Sequence, residues 1–143
     1  MTDLTLAIAQ NLLGGTLAAA RERKLNPCAI VIVDAAGALK ASASEDGTSL
    51  LRWKVALGKA YGAVGLGVGS RRIATMAVER PHFVAALHGM ADGGMVPVPG
   101  GVLIRNAHKH VIGAIGVSGD TSDNDEAAAM AAIVAAGLIA DAG

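Results

Sequence analysis

The sequence predicts an α+β fold, a mainly antiparallel sheet of about five strands with helices packed on it. Three observations predict it. Short β-branched runs come in pairs separated by turn residues, which is the pattern of hairpins and so of antiparallel pairing. Helical segments stand before, between and after these pairs and do not alternate with single strands, so a Rossmann arrangement is excluded. The 143 residues show no repeat, linker or break in composition, so residues 1–143 are expected to form one domain of a size that buries a real core.

Residues 3–24, DLTLAIAQNLLGGTLAAARERK, place Leu6, Ala9, Leu13 and Leu17 at helical spacing. A basic cluster closes the segment, as a helix C-terminus favours, and Asn26-Pro27 breaks it. CAIVIVD (28–34) is a β-branched run too short for a core helix; AAG makes a turn, and LKASAS (39–44) returns as the second arm of a hairpin. Asp46-Gly47 opens a loop in which Thr48 or Ser49 can cap a helix over about 50–65. GLGVGS ends that helix. SRRIATMAVE forms a short helix that stops before Pro81, HFVAALHGMA forms another, and GGMVPVPGG is extended and irregular. GVLIRN and HVIGAIGVSG, joined by NAHKH, form a second hairpin, and a last helix is expected over 123–142.

Composition narrows the function. Hydrophobic residues make up 52% of the chain but aromatics only 2%, and thirty residues are alanine, so elements should approach closely over short side chains. Twelve basic and twelve acidic residues cancel. This leaves no electrostatic footprint for nucleic acid, and the few aromatics offer no platforms for stacked bases. The single cysteine, Cys28, suits a reducing compartment and reads as a buried, unreactive thiol. The N-terminal residues lack the basic start and long apolar core of a signal peptide. The longest apolar run, AAAMAAIVAAGLIA (127–140), is shorter than the ~20 residues a membrane helix needs, so no membrane partner is expected and the location is expected to be cytoplasmic. That run is apolar around its whole circumference, which points to a homo-oligomer.

GAIGVSGDTSDNDE (113–126) carries four acids in its last seven positions. It is not a phosphate loop, because its glycines lie in a strand and no lysine follows. Asp120, Asp123, Asp125 and Glu126 miss the alternating spacing of an EF-hand. The sufficient reading is a helix start: Ser122 or Asp123 caps the first amides, and the following acids favour the positive end of the helix. Gly113, Gly116 and Gly119 would then let a neighbouring backbone lie close to the strand.

The same region resembles a known family. PGGVLI (99–104) followed by VIGAIGVSGDTSDNDEAAAMAA (111–132) is similar to the C-terminal signature of the GlcG/HbpS-like haem-binding family, which includes the C-terminal domain of PduO-type proteins. IVIVDAAGAL (30–39) and LGKAYGAV (57–64) fall where that family has its Val-Val-Asp-x-x-Gly and Lys-Ala segments, so the match spans roughly residues 4–140. The resemblance implies a profilin-like fold, oligomerisation through the helices and, in some members, haem as a cofactor. This chain departs from the family at Ser44-Glu45-Asp46-Gly47, where Arg-Met-Asp-Gly is common. The change loses an arginine and gains a carboxylate in a loop that borders the family's cavity.

His82 and His88 are the candidate haem ligands. His82 follows Pro81 at a helix start, and His88 stands four residues before Asp92, whose carboxylate can orient it. Lys59 matches the family's Lys-Ala position; it holds an anionic ligand or snorkels to the surface. His108 and His110 share a hairpin tip with no third ligand near in sequence, so no metal site is expected there. Arg105 ends a strand and can bind a carboxylate. Met76, Met90 and Met95 are core fillers by default. Two functions follow from these residues. One is a haem-binding or haem-handling accessory protein. The other is a small cofactor-independent enzyme acting on a small organic acid at a subunit interface, with His82, Lys59 and a carboxylate such as Glu45 or Glu126 as its catalytic groups.

Overall fold

The computed structural model describes residues 3–92 and 94–143. Helix α1 (Leu6–Glu22) leads into strands β1 (Ala29–Asp34) and β2 (Leu39–Ser44). Helices α2 (Arg52–Leu66), α3 (Ser70–Glu79) and α4 (Pro81–Met90) follow, then β3 (Gly101–Arg105), β4 (Val111–Ser118), α5 (Ser122–Ala135) and β5 (Ile139–Asp141). The strands lie in the order β2-β1-β4-β3-β5, and every neighbouring pair is antiparallel. Both expected hairpins are present, β1–β2 and β3–β4, and the α+β expectation holds.

Period-two alternation sorts the central strands onto two cores. Ile30, Ile32, Ile115 and Val117 face α1 and α5 together with Val102 and Ile104. Val31, Val33, Ala114 and Leu103 face α2, which presents Ala56, Ala60 and Ala63 to them. Because helices cover both faces, β1 and β4 read as continuous apolar runs. The alanine face of α2 permits very close seating. Gly101 and Gly116 are cross-strand partners, and a Cβ on either would fall 2.3 Å from the Lys59 carbonyl oxygen or 1.9 Å from that of Ala56.

Three local expectations are corrected. The last helix stops at Ala135, not 142, because Gly137 takes φ +77° and the Leu138 amide bonds back to Ile133 in a Schellman turn. The chain then returns as β5 on the sheet edge, so the apolar run 127–140 is part helix and part strand. The cap of α5 is Thr121, whose hydroxyl accepts the Asn124 amide; Ser122 and Asp123 already lie inside the helix. At α2 the N-cap is Leu51 with no side-chain bond, so neither Thr48 nor Ser49 serves.

Candidate functional site

Lys59 is the largest fully buried side chain, and it does not snorkel. The α2 backbone lies close against β3 and β4, and the lysine stem runs past Gly100 toward the end of β4. Its ammonium donates to the Val117 carbonyl at 2.8 Å and stands 3.4 Å from Asp125 Oδ2. Both side chains of this ion pair are at most 2% exposed. Burial holds the lysine below its ordinary value, while Asp125 pushes it in the opposite direction. Asp125 also accepts the amides of Asp120 at 2.9 Å and Gly119 at 3.3 Å. One carboxylate therefore shapes the β4–α5 turn and ties α5, on one face of the sheet, to α2 on the other. Asp125 was missed in the sequence because the acidic run offered four candidates, and nothing local shows which one turns inward.

The other acids of the run have their own partners. Asp120 accepts from the Asn26 amide at 2.8 Å and from the Asn124 side chain at 2.7 Å, and these bonds hold its carboxyl below the usual range. Asp123 and Glu126 both pair with Arg71 of α3. Glu45, the departure noted above, is engaged as well: it receives the Arg21 guanidinium at 2.7 Å and the Cys28 amide at 2.9 Å. Burial first, then the negative charges of Asp125 and Glu45, push the Cys28 thiol up to about 11, so it stays protonated and inert. Arg105 pairs with Asp141 of β5 at 2.9 Å.

Lys59, Glu126 and His82, the groups of the enzyme reading, thus go to three different places: a buried pair with Asp125, a surface pair with Arg71, and the exposed start of α4. His88 is half-buried on α4, and Asp92 is not on its helical face, because α4 ends at Met90 and Asp92 takes φ +53°.

An apolar groove of about 260 Å³ runs between α2 and α4. Tyr61, Gly62 and Leu66 form one wall, Leu87, Met90 and Ala91 the other, and buried Met95 the floor. Met90 is 81% exposed, so it is not the core filler its type suggests. The lining residues include no histidine: at 100° per residue His88 lies about 100° round α4 from Leu87 and about 160° from Met90, on one flank of the helix. His82 lies roughly 140° round the helix from Leu87 and about 80° from Met90, on the opposite flank and at the exposed start of α4. A second apolar groove, of about 200 Å³, is bordered by Trp53, Leu57 and Leu39, with two serine hydroxyls and the Trp53 indole as its side-chain polar groups. The α2–α4 groove is therefore the one lined by thioether and phenol.

The family model described as haem degrading protein HbpS-like matches residues 4–134. A crystal structure of a PduOC–haem complex superposes with a TM-score of 0.85 at 22% identity, covering 96% of this chain and 98% of that one. A double mutant of HbpS from Streptomyces reticuli gives 0.81 at 24% identity, covering 94% and 88%. Protein ORFY of Klebsiella pneumoniae gives 0.83 at 24% identity, covering 96% and 93%. These likenesses establish the shared fold. No curated protein matches the chain.

Proposed function

Since the chain belongs to the HbpS-like family of haem degrading proteins, we propose that it binds haem and handles it as an accessory protein, with the α2–α4 groove as the seat of the porphyrin. The family match carries this reading, and the groove supports it physically. Leu66, Leu87 and Met95 offer the apolar wall that a macrocycle face needs, and a Cβ added at Gly65 in this groove meets nothing within 4 Å, so there is room. Imidazole, thioether and phenolate are all haem-iron ligands. The residues present fit the group. At 260 Å³ the groove is just under the ~300–1,000 Å³ of pockets that bury a drug-sized ligand. It would take one edge of the ring and leave the rest to solvent or to a second protein surface. Haem, when bound, supplies a redox-active iron. The chain would supply the apolar wall, with Tyr61 and Met90 in the lining and His88 on the flank of α4 as the residue that would hold the iron.

Addition of stoichiometric haem to the purified protein should produce a Soret band. His88→Ala should shift that band or weaken binding at least tenfold, and His82→Ala should leave it unchanged. A wild-type protein with no Soret band would remove the haem reading. An unchanged His88→Ala spectrum would transfer the axial role, with Tyr61→Phe as the next variant.

We place the protein in the cytoplasm as a homo-oligomer. Among the described residues no helix is long and apolar enough to cross a membrane, and the buried free thiol of Cys28 suits a reducing compartment. Leu50, Leu51 and Trp53 at the start of α2 are 82, 61 and 44% exposed, and Leu39 on β2 adds to this apolar face. Exposed apolar side chains of that size, Leu39 and Trp53 bordering one groove, favour a protein partner, and a second copy is the partner always present. Light scattering at micromolar concentration should return a multiple of the chain mass; the mass of one chain would rule the oligomer out.

A further inference from the structure

Away from the groove, the tip of the β3–β4 hairpin brings His108 and His110 together, with ring centroids 6.3 Å apart and planes tilted by 37°. We propose that these two imidazoles form a bidentate site for a borderline divalent transition-metal ion, Cu²⁺ foremost. This departs from the expectation that they are plain turn histidines. Three observations carry it.

The backbone beneath the two rings is fixed. Asn106, 2% exposed, accepts the amides of both His108 (3.0 Å) and His110 (3.1 Å) on one side-chain oxygen. Its own amide donates to the His110 carbonyl at 3.0 Å, and its carbonyl receives the Lys109 amide at 2.9 Å. Lys109 is locked at φ +65°, and its carbonyl accepts from Arg105. A metal would therefore order two side chains and no loop.

The spacing fits. With metal–nitrogen bonds of about 2.0–2.1 Å, two rings on one ion have centroids roughly 4.5–6.3 Å apart, from a right-angled to a linear arrangement. The observed separation stands at the upper end. Both rings are exposed, so side-chain rotation closes the remaining distance without moving the strands.

The surroundings leave an open, two-ligand site. Among the described residues no third histidine, cysteine or carboxylate joins the pair, so water or an added ligand would fill the other positions. A tetragonal site of two imidazoles and oxygen donors suits Cu²⁺ or Ni²⁺, and Cu²⁺ binds tightest of the divalent series. Lys109 opposes a cation, but solvent screens an exposed charge. The cleft that His110 lines also holds Asp3 and Asp34, which offset it.

The test is a calorimetric titration of the haem-free full chain with CuCl₂ in a non-coordinating buffer, paired with electron paramagnetic resonance. The wild type should bind one Cu²⁺ per chain with nitrogen couplings from imidazole. His108→Ala and His110→Ala should each weaken binding at least tenfold, and the double variant should abolish this site. A His82→Ala/His88→Ala variant should retain it, which separates the site from the haem groove. Far-UV circular dichroism should show the exposed-site variants folded. The proposal is overturned by a wild type without a site, by single variants that bind like the wild type, or by a double variant that keeps the imidazole signal.

Discussion

Asp125→Ala should cost about 3–5 kcal/mol of folding stability, the usual result of stranding one member of a buried ion pair. The variant leaves the Lys59 ammonium facing only the Val117 carbonyl, and the Gly119 and Asp120 amides lose their acceptor. Lys59→Met combined with Asp125→Leu should recover part of the loss, since it removes both charges, but not all of it, because those two amides stay unpaired. Urea denaturation of the four proteins of the cycle measures this. The pH dependence has a definite sign. Burial holds folded Lys59 below its ordinary 10.5. Between the folded value and 10.5 the unfolded chain binds more protons, so stability rises with pH in that window and is flat below it. Without Asp125 the folded value falls further and the window widens downward. The deficit of Asp125→Ala relative to wild type should therefore shrink as pH rises from 7 toward 10. A deficit below 1 kcal/mol at neutral pH, or one that grows with pH, contradicts the buried pair.

Gly116→Ala is the second large effect. The added methyl would sit 1.9 Å from the Ala56 carbonyl oxygen and 2.9 Å from its carbon. These are backbone atoms of α2, so no rotamer change relieves the overlap; the helix must lift from the sheet and carry Lys59 with it. Overpacking costs about 1–3 kcal/mol where side chains can yield, and here the loss should exceed that, with a melting temperature well below wild type or no soluble protein. Gly14→Ala in α1 is the control. Nothing lies within 4 Å of its added Cβ, so it should gain about 0.5–1 kcal/mol. A Gly116→Ala protein that melts with the wild type would refute the close seating.

Periodicity and turn chemistry are local properties, and what depended on them was legible. The β-branched run 28–34, the NAHKH turn and the stop before Pro81 all appear where the residues place them. The close approach inferred from Gly113, Gly116 and Gly119 is real, since an added Cβ at each meets neighbouring backbone. Missed features were set by distant partners. LIAD at 138–141 reads as more helix until Gly137 turns the chain and Leu103 and Ile104 offer a strand edge. Lys59 looks like any helix lysine until Asp125, 66 residues on, meets it in the interior. Two of the segments that carry the family resemblance, LGKAYGAV and the one containing SGDTSDNDE, were visible; that they supply the two halves of one ion pair was not.

The sheet order has a kinetic consequence. The outer pairs β1–β2 and β3–β4 are hairpins of neighbouring sequence, which form in roughly 1–10 μs. The central seam instead joins residues 29–34 to residues 113–118, and α2, α3 and α4 all lie in the chain between. That long loop must close before the two hairpins become one sheet, so the seam, together with the packing of α1 on α5, raises the contact order and with it the folding barrier. Substitutions in β1 and β4 should then slow folding, whereas those in β5, which adds to an edge already formed, should chiefly speed unfolding. The α2–α4 groove belongs to the segment that the seam encloses, so its two walls belong to the loop that this step closes.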